Sequence, residues 1–412
     1  MQFRRFLHNR SVTAAEMAEH AAERTAAQVA GRAVVAIQDT SELVLGGRRA
    51  RAKGYGRVGK GGVLSGLLLH PVLAVEAGTG ALLGLVDCKV WNREEGQLPH
   101  RRSRATTDKE SQRWLDGSSR ASEVLAGASS ITGVSDRESD IYEHFVARPA
   151  NMHLIVRVCQ NRLVAAEAMA TSPLLYSFIE SIPEQGRFTV QLPAAPGRKA
   201  RVAELAVRFA PVALRRPLHG PRDLPETVGL TVVDVRETSA PADGSEPLHW
   251  RLLTSHGVTS LDEARRVVDL YRLRWTIEEY FHTMKTAGFD IEDAELSDPH
   301  AMMNLVAAAS VAAVTIMQLV KGRDGAGARP LTDAFGFDDQ RILEAICEKL
   351  EGKTARQKNP HAKGTLAYAA WVIARLGGWT GYYGKPGPKV MRLGLEAFQR
   401  IKFGTTLGLQ DV

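Results

Sequence analysis

The sequence predicts an α/β protein in which buried strands alternate with amphipathic helices. Two apolar, β-branched runs each stop at a carboxylate: RAVVAIQD ends at Asp39 and ITGVSD ends at Asp136. This is the pattern of a buried strand with an acidic residue at its end. Residues 161–249 differ, because ten of the chain's 18 prolines fall there among short alternating runs, which predicts a β-rich subdomain.

The other elements follow in chain order. Residues 11–30 are rich in alanine with helical spacing, and residues 109–127 also have helical character. HWRLLTS at 249–255 returns to a buried strand, after which Ser260 and Glu263 form a capping box that begins a long helix. Apolar runs predict three further strands, at 63–69, 72–76 and 82–90.

Length and charge limit the class of protein. The 412 residues exceed what one core usually supports, so two or three domains or a large insertion are expected. The net charge of +7 favours a polyanionic partner, with nucleic acid as the first choice. Residues 353–412 hold ten basic and two acidic residues, a net charge of +8. Cys88, Cys159 and Cys347 lack the spacing of a zinc site or a disulfide framework, and they fit a reducing cytoplasm.

One apolar segment is nearly long enough to span a bilayer. Residues 302–320 are rich in alanine and contain Asn304, Thr315 and Gln318, which makes the segment poorly hydrophobic on membrane-insertion scales. We therefore expect a buried helix of a soluble domain here rather than a membrane span.

The segment YRLRWTIEEYFHTMK, which begins at Tyr271, aligns charged and aromatic side chains on one helical face. At about 100° per residue, a stripe about 60° wide contains four of them: Tyr271, Arg274, Glu278 and Lys285. Glu279 lies about 80° from Tyr271, outside that stripe. Glu278 is therefore the glutamate aligned with the arginine and the lysine. The alternative is a solvated face on which Arg274 and Glu278 form an ordinary helical ion pair.

Three separated carboxylates suggest metal-dependent chemistry. If Asp39, Asp136 and Glu278 converged, their like charges would repel one another by several kcal/mol. Hard divalent cations would relieve this repulsion, and Mg²⁺ binds a few carboxylates together with water and phosphate oxygens. Two such ions about 4 Å apart can activate a water and stabilise the leaving oxygen in phosphodiester cleavage. Arg274 and Lys285 would then hold phosphates beside the metal ions.

The same residues carry a resemblance to a known family. Tyr271, Arg274, Glu278 and Lys285 fit the Y-x2-R-x3-E-x6-K signature of IS4-family DDE transposases, the family of the Tn5 transposase. Further pieces match in order: AIQDTSEL around Asp39, KESQRWL, VSDRESDI, HWRLLTS, RWTIEEY and LGGWTGYYGKPGPKVMRLGLEAF. The sequence is therefore similar to this family over nearly its whole length.

The resemblance implies an RNase H-like fold, in which a mixed sheet flanked by helices is interrupted by a β-rich insertion and followed by a C-terminal helical domain. Five parts of the chain are expected on this basis. They are a remnant of an end-binding domain (1–30), the first part of the catalytic core (31–160), the β-rich insertion (161–248), the second part of the core with the glutamate helix (249–321) and a helical dimerisation region (322–412).

The resemblance also implies which residues form the site. The catalytic residues, which would also bind two Mg²⁺ ions with Mn²⁺ as a possible substitute, would be Asp39, Asp136 and Glu278. The residues that hold DNA phosphates would be Tyr271, Arg274 and Lys285. Trp250 matches a tryptophan that stacks on an extruded base. The alternative for Trp250 is a core tryptophan on its strand.

Members of this family cut a transposon out of DNA and paste it elsewhere. Water frees the transposon 3′ end, the new 3′-hydroxyl attacks the opposite strand to form a hairpin, and the reopened end is joined to target DNA. The implied partners are double-stranded DNA at the transposon ends and at the target, together with a second copy of the chain, and no membrane. The implied location is the bacterial cytoplasm, at the nucleoid.

The chain departs from the family pattern at its N-terminus. Full-length relatives carry a helical domain there that recognises transposon ends, whereas only 38 residues precede Asp39 in this sequence. Either the true start codon lies upstream of the assigned one, or this is a shortened form. The alternative function is therefore a non-catalytic inhibitor that dimerises with full-length transposase through residues 331–412.

Three smaller expectations concern other residues. Trp275 is expected in the core, and Arg137 and Glu138 are expected to orient the preceding Asp136. GYGRVGKGG at 54–62 contains a G-x-G-x-x-G, but a strand-like run follows where a dinucleotide-binding fingerprint requires a helix. We expect instead a basic loop that touches the DNA backbone, or a solvated hairpin.

Overall fold

The computed structural model describes residues 2–45, 54–93, 110–165, 173–192, 200–241 and 244–408. The chain forms two compact units. Unit 1 comprises Met1–Arg32, Thr40–Gly96 and Trp275–Val412, and unit 2 comprises Ala33–Asp39 and Gln97–Arg274.

Within the described ranges the chain forms eleven α-helices and twelve β-strands. The helices are α1 (Gln2–His8), α2 (Ala14–Gln28), α3 (Gln112–Val124), α4 (Tyr142–Val146), α5 (Leu175–Ser181), α6 (Leu261–Arg272), α7 (Trp275–His282), α8 (Pro299–Gly322), α9 (Asp339–Leu350), α10 (Leu366–Leu376) and α11 (Pro388–Gly408). The strands are β1 (Ala33–Gln38), β2 (Ser41–Val44), β3 (Gly56–Val58), β4 (Leu64–Glu76), β5 (Leu82–Trp91), β6 (Ser130–Ser135), β7 (Met152–Arg157), β8 (Val164–Ala165), β9 (Gly186–Leu192), β10 (Arg201–Arg215), β11 (Thr227–Glu237) and β12 (His249–Thr254).

Unit 2 contains a mixed sheet flanked by helices. β1, β6 and β7 are parallel neighbours, and β12, β11, β10 and β8 continue the sheet in antiparallel pairing, with β9 also paired to β10. β1 and β6 each bury five consecutive residues, as strands covered on both faces do. The helices α3 and α6 pack against β1 and β6. The predicted α/β class, with an RNase H-like mixed sheet flanked by helices, is confirmed.

Local sequence rules account for several boundaries in unit 2. The helix predicted to follow Ser260 is present, because the Ser260 hydroxyl accepts from the Glu263 amide while the Glu263 carboxylate accepts from the Ser260 amide. Strands are present among the prolines, and β10 alternates buried and more exposed side chains along most of its length. That alternation is typical of an antiparallel strand with one face in solvent.

Unit 1 contains a second set of strands covered by helices. β4 pairs antiparallel with β2, β3 and β5. The helices α2 and α8 pack against β5, and the buried Thr25 hydroxyl on α2 donates to the Leu85 carbonyl on β5 at 2.7 Å. The helix and the strand predicted at 11–30 and 82–90 are therefore present, with their ends moved by a few residues.

The long apolar helix α8 belongs to the core of unit 1. By length and composition it could cross a membrane, but 61% of its most apolar window is buried inside the protein. Its amide side chains also point into the protein, because Asn304 donates to the Leu7 and Val12 carbonyls and Gln318 donates to the Leu83 carbonyl. Those contacts are typical of a buried helix in a soluble domain, as the sequence predicts.

One predicted boundary in unit 1 is wrong. Residues 63–69 and 72–76 were expected as two strands, but they form the single strand β4, which passes through Pro71. Proline lacks the N–H that a ladder needs, so it is tolerated where no donor is required. The pairing of β4 with β2 ends at Leu69, and the register with β5 shifts just after Pro71, between Val72 and Leu73. The strand therefore adapts around the proline instead of ending there.

The segment that contains G-x-G-x-x-G leads into a strand, as predicted. β3 and a short 3-10 turn are followed by β4 rather than by a helix, so the context of a dinucleotide-binding loop is absent here. The Gly59 amide donates to the Glu42 carboxylate at 2.7 Å. This hydrogen bond ties the segment to the end of β2.

The continuous helix that the sequence predicts between Ser260 and Lys285 is wrong. It is interrupted after Arg272, where the Leu273 and Arg274 amides bond three residues back, to Leu270 and Tyr271. A π-helical turn, Thr283–Ala287, then follows α7. Both changes alter the rotation per residue from the α-helical value. The four residues of the predicted stripe therefore do not lie on one uninterrupted α-helix.

The C-terminal helices of unit 1 share a core and approach one another through glycine. The buried residues include Trp371 on α10 and Phe398 on α11. A Cβ atom placed on Gly394 of α11 would lie 1.8 Å from the Ile373 carbonyl oxygen of α10. Backbone cannot yield to such a clash, so only glycine permits this helix spacing.

We expect Gly394→Ala to lower the free energy of unfolding by at least about 2 kcal/mol, because the added methyl overpacks the helix contact. Gly404→Ala on the same helix is the matched control, since a Cβ there meets no atom within 4 Å. It should stabilise the protein by roughly 0.5–1 kcal/mol through helix propensity. Urea denaturation of both variants measures the difference, and equal stabilities would contradict the close packing of α10 and α11.

Candidate active site

The parallel pairing of β1 with β6 places two predicted site residues side by side. Ile37 is paired with Val134, and Asp39 and Asp136 each follow that pair by two residues. Neighbouring strands lie about 5 Å apart, so the two carboxylates emerge next to one another at the carboxyl ends of their strands. Strand ends of this kind are where α/β sheets bind ligands.

Asp39 forms an ion pair with Arg274, which lies just after α6. The Arg274 Nη1 donates to the Asp39 Oδ2 at 3.0 Å, and the two side chains are only 13% and 14% exposed. A charge-assisted hydrogen bond with this little exposure is strong. It holds the first aspartate and the arginine of the predicted signature together.

Asp136 is oriented by backbone rather than by the charged side chains that follow it. The Glu138 amide donates to the Asp136 Oδ1 at 2.9 Å, so the aspartate caps a short 3-10 turn. The Glu138 carboxylate instead pairs with Arg113 at 2.8 Å, and Arg137 is exposed. The expectation that Glu138 orients Asp136 is therefore correct for its backbone and wrong for its side chain.

Trp250 and Tyr271 form an aromatic pair beside the aspartates. Their ring centroids are 5.6 Å apart with the planes at 66°, an edge-to-face contact. Burial raises the pKa of Tyr271, while the positive charges of Arg274 and Arg157 lower it and the charge of Asp136 raises it again. Tyr271 is therefore a neutral phenol at physiological pH. Trp250 is only partly buried, so its ring retains an exposed part.

Glu278 and Lys285 belong to unit 1. Glu278 lies in the first turn of α7 and is partly exposed. The Lys285 ammonium donates to the Glu42 carbonyl at 2.6 Å and lies 3.5 Å from the Glu292 carboxylate. Glu279 is exposed and pairs with Lys321 at 2.7 Å. The neighbouring glutamates therefore differ in their surroundings.

Trp275 was expected in the core, and this prediction is wrong. Its side chain is 56% exposed at the start of α7. Trp275 is the first residue of α7, after the helix interruption, and not part of a continuous helix from Ser260.

Five of the seven predicted site residues thus lie together in unit 2, namely Asp39, Asp136, Trp250, Tyr271 and Arg274. The other two, Glu278 and Lys285, lie in unit 1.

A buried network of neutral polar groups, which no sequence pattern indicates, supports the two aspartates. The Gln38 amide donates to the Ser118 hydroxyl at 3.0 Å, and that hydroxyl lies 2.9 Å from the His144 Nε2. The His144 Nδ1 lies 3.2 Å from the Ser139 carbonyl oxygen. Because a carbonyl only accepts, Nδ1 carries the proton and Nε2 accepts from Ser118. Burial lowers the pKa of His144 to about 4, so the ring stays neutral.

This network connects residues adjacent to both aspartates. Gln38 directly precedes Asp39, and the Ser139 hydroxyl donates to the Asp136 carbonyl at 2.9 Å. Ser118 lies on α3 and His144 on α4. Helices that flank the sheet therefore fix both strand ends through hydrogen bonds between neutral groups.

Asp140, the last acidic residue in SDRESD, has a structural role. The Asp140 side chain is fully buried and pairs with Arg162 at 2.6 Å. It also accepts from the Cys159 and Gln160 amides at 2.7 and 2.8 Å. A buried carboxylate is stable only when it is paired and hydrogen-bonded in this way. Asp140 thus anchors the turn that follows Asp136.

The two aspartates have the chemistry of a hard-cation site. Mg²⁺ is bound by one or two carboxylates together with waters and phosphate oxygens, and Asp39 and Asp136 supply two partly exposed carboxylates at one edge of the sheet. Across the described ranges, no group of three or more His, Cys, Asp or Glu side chains could hold a metal ion by itself. The fit is therefore to an ion that takes part of its coordination from water or substrate.

Paired carboxylates with an arginine and aromatic side chains are suited to phosphodiester chemistry. A family model described as the transposase DDE domain matches residues 93–314, more than half of the chain. The chain belongs to this family of transposases, and it is therefore an enzyme of the nuclease and transposase class that acts on DNA. The matched range includes Asp136, Trp250 and Glu278, whereas Asp39 precedes it. Transposases of this family generally use divalent metal ions.

We expect stability to fall as the pH decreases from about 6.5 towards 4. The unfolded chain protonates His144 near its ordinary pKa, whereas the folded chain resists protonation down to about 4, so the unfolded state binds more protons within this window. His144→Gln should reduce the slope of unfolding free energy against pH by up to about 1.4 kcal/mol per pH unit. Urea denaturation at several pH values measures this slope.

The control for this experiment is His282→Gln, at an exposed position. Burial also lowers the pKa of His256 to about 4, so part of the slope persists in both variants. An unchanged slope in His144→Gln would show that His144 is protonated as readily in the folded protein as in the unfolded chain.

Proposed function

We propose that the protein is a cut-and-paste transposase of the IS4 family, similar to the Tn5 transposase, that excises an insertion sequence and joins it to target DNA. The membership in the DDE transposases, the signature around Glu278 and the cluster in unit 2 support this proposal. The observation that carries it is the pairing of β1 with β6, which places Asp39 and Asp136 side by side, together with the ion pair between Asp39 and Arg274.

In this proposal Asp39, Asp136 and Glu278 are the catalytic carboxylates and would hold two Mg²⁺ ions, with Mn²⁺ as a substitute. The bound ions would supply Lewis acidity and a nucleophile at neutral pH. Arg274, Lys285 and the Tyr271 hydroxyl would contact DNA phosphates. Trp250 would stack on an extruded base with the exposed part of its ring.

The chemistry is a series of phosphoryl transfers at the transposon end. Water attacks the phosphorus, the bond to the 3′ oxygen breaks, and a 3′-hydroxyl is released. That hydroxyl attacks the opposite strand and forms a hairpin, which a second water opens. The free 3′-hydroxyl then attacks a phosphodiester of the target. Every step forms one P–O bond and breaks another, so the protein's task is to hold phosphates and strand ends in line.

The arginine and the aromatic pair suit that task. Arg274 presents a planar, permanently charged guanidinium beside Asp39, and the neutral Tyr271 can donate a hydrogen bond to a phosphate without repelling it. A sharply bent strand exposes a base, which a partly exposed tryptophan can cover. The five-part division of the chain is part of the same proposal, and the strands β8 to β11 within 161–248 support the insertion.

We expect Asp39→Asn, Asp136→Asn and Glu278→Gln each to reduce Mg²⁺-dependent strand cleavage to the background rate. The amides keep the shape of the side chains but remove the charge that binds the cation. DNA affinity should stay within about threefold of wild type, because phosphate contacts by basic residues dominate binding. Cleavage of transposon-end DNA and a gel-shift assay measure the two effects.

Glu279→Gln is the matched control, because Glu279 is exposed and pairs with Lys321. It should retain most of the cleavage rate, and equal losses at both glutamates would contradict the assignment of Glu278. Wild-type protein that binds transposon-end DNA and never cuts it would instead favour the inhibitor that dimerises with full-length transposase.

Arg274→Gln should separate metal binding from catalysis. Removing the guanidinium removes a positive charge that is hydrogen-bonded to the Asp39 carboxylate, so Mn²⁺ should bind on the order of tenfold more tightly. Strand cleavage should fall, because a phosphate contact is lost. Electron paramagnetic resonance titration of free Mn²⁺ measures affinity without any reaction. Weaker Mn²⁺ binding in Arg274→Gln would contradict the competition between Arg274 and the cation for Asp39.

A further inference from the structure

The motif LGGWTGYYGKPGPK near the C-terminus forms one wall of a cavity that is separate from the aspartates. The cavity lies entirely in unit 1 and has a volume of about 520 Å³. Volumes between about 300 and 1,000 Å³ are typical of sites that enclose a small molecule. The residues that matter for its chemistry are Arg323, Arg356, Lys358, Trp371, Trp379 and Lys385.

The cavity is strongly positive. Four of its lining residues are arginine or lysine, against one carboxylate, Asp324, which is 2.8 Å from the Lys385 ammonium. None of the ion pairs between described residues involves Arg323, Arg356 or Lys358. The Arg323 Nη1 donates to the Pro386 carbonyl at 2.8 Å, while its Nε is buried without a protein acceptor. Such a surface favours an anionic ligand.

Aromatic rings accompany the positive charges. Trp379 lines the cavity and is partly exposed, and Trp371 lies in its buried wall, where the Arg375 guanidinium sits 5.5 Å from the ring centroid. On the same loop, Tyr382 and Tyr383 are 46% and 86% exposed. Exposed aromatic rings next to basic side chains are the combination that stacks bases and holds the backbone of single-stranded nucleic acid.

The loop that presents these rings has a fixed shape. The Arg375 side chain donates to the Trp379 and Thr380 carbonyls at 3.2 and 2.6 Å, and the Trp379 indole donates to the Gly384 carbonyl at 3.1 Å. Gly381 has a φ of 86°, and a Cβ there would lie 3.1 Å from the Arg356 carbonyl oxygen. The rings are therefore held in place before a ligand binds.

We infer that this cavity is a second nucleic-acid site, which binds an unpaired nucleotide of a DNA strand. Trp379 stacks on the base, and Arg323, Arg356 and Lys358 contact the phosphates. A cavity with an aromatic stacking surface suits an unpaired base, whereas the bases of a duplex are stacked on one another and offer no free face to the rings. The site uses none of the proposed catalytic residues.

The test measures binding of a fluorescein-labelled, single-stranded oligo(dT) of about eight nucleotides to the full chain in EDTA, by fluorescence anisotropy. Trp379→Ala should weaken binding about tenfold, since one stacked base contributes that much, and Trp379→Phe should restore most of the affinity. The double variant Arg356→Ala with Lys358→Ala should weaken binding and reduce its dependence on salt concentration. Lys349→Ala removes an exposed charge on α9 outside the cavity and should change nothing.

One further measurement makes the result specific. An oligonucleotide containing 5-iodouracil should crosslink on irradiation to the tryptic peptide 376–389, which contains Trp379 and both tyrosines. Because binding is measured in EDTA, failure of the proposed metal-dependent catalysis leaves this result untouched.

Unchanged affinity in folded Trp379→Ala, checked by circular dichroism, would overturn the proposal. If Trp379→Ala does not fold, the double variant, which alters two exposed side chains, replaces it. Unchanged affinity in the double variant would then overturn the proposal. Variants that change the oligomeric mass in sedimentation and leave oligonucleotide binding unchanged would assign the surface to a protein contact instead, and would also overturn it.

Discussion

The backbone pairing of β1 with β6 holds Asp39 and Asp136 at the same level of the sheet in unit 2. Five residues of β1 are paired in a constant register, and their side chains are almost entirely buried. A slip of one residue would turn every side chain of a strand to the other face. Core packing therefore fixes which residues emerge at the strand ends, and the chemistry of the site depends on that register.

The groups around the two aspartates differ in charge between the buried side and the side where Arg274 lies. Behind the strand ends, the buried contacts from Gln38 to Ser118, His144 and Ser139 are all neutral. In front of them, Arg274 supplies a positive charge to Asp39. The interior thus avoids the cost of an unpaired ion, because the buried carboxylate nearby, Asp140, is paired with Arg162.

Local patterns predicted much of this structure. The apolar runs that stop at aspartates, the capping box at Ser260 and the buried helix around Asn304 all follow from residues close together in the chain. The errors arose where distant packing overrides local preference. Pro71 does not end β4, because the strand can shift its register against β5 there. Trp275 is exposed because the helix is interrupted at Leu273 and Arg274.

Other parts of the site cannot be predicted from local sequence patterns. The hydrogen bonds of His144 involve residues from α3 and the turn after β6, and no sequence spacing indicates which serine it will meet. The same holds for the pairing of Glu279 with Lys321. Such contacts depend on tertiary packing and not on periodicity.

The uneven distribution of charge along the chain affects how the protein meets a polyanion. Residues 353–412 carry a net charge of +8, and the whole chain carries +7. The preceding 352 residues are therefore close to neutral. Attraction that extends about one Debye length, roughly 8 Å at physiological salt, therefore acts mainly on residues 353–412. This attraction orients the diffusing protein before contact forms, so that residues 353–412 face the polyanion when the two first meet.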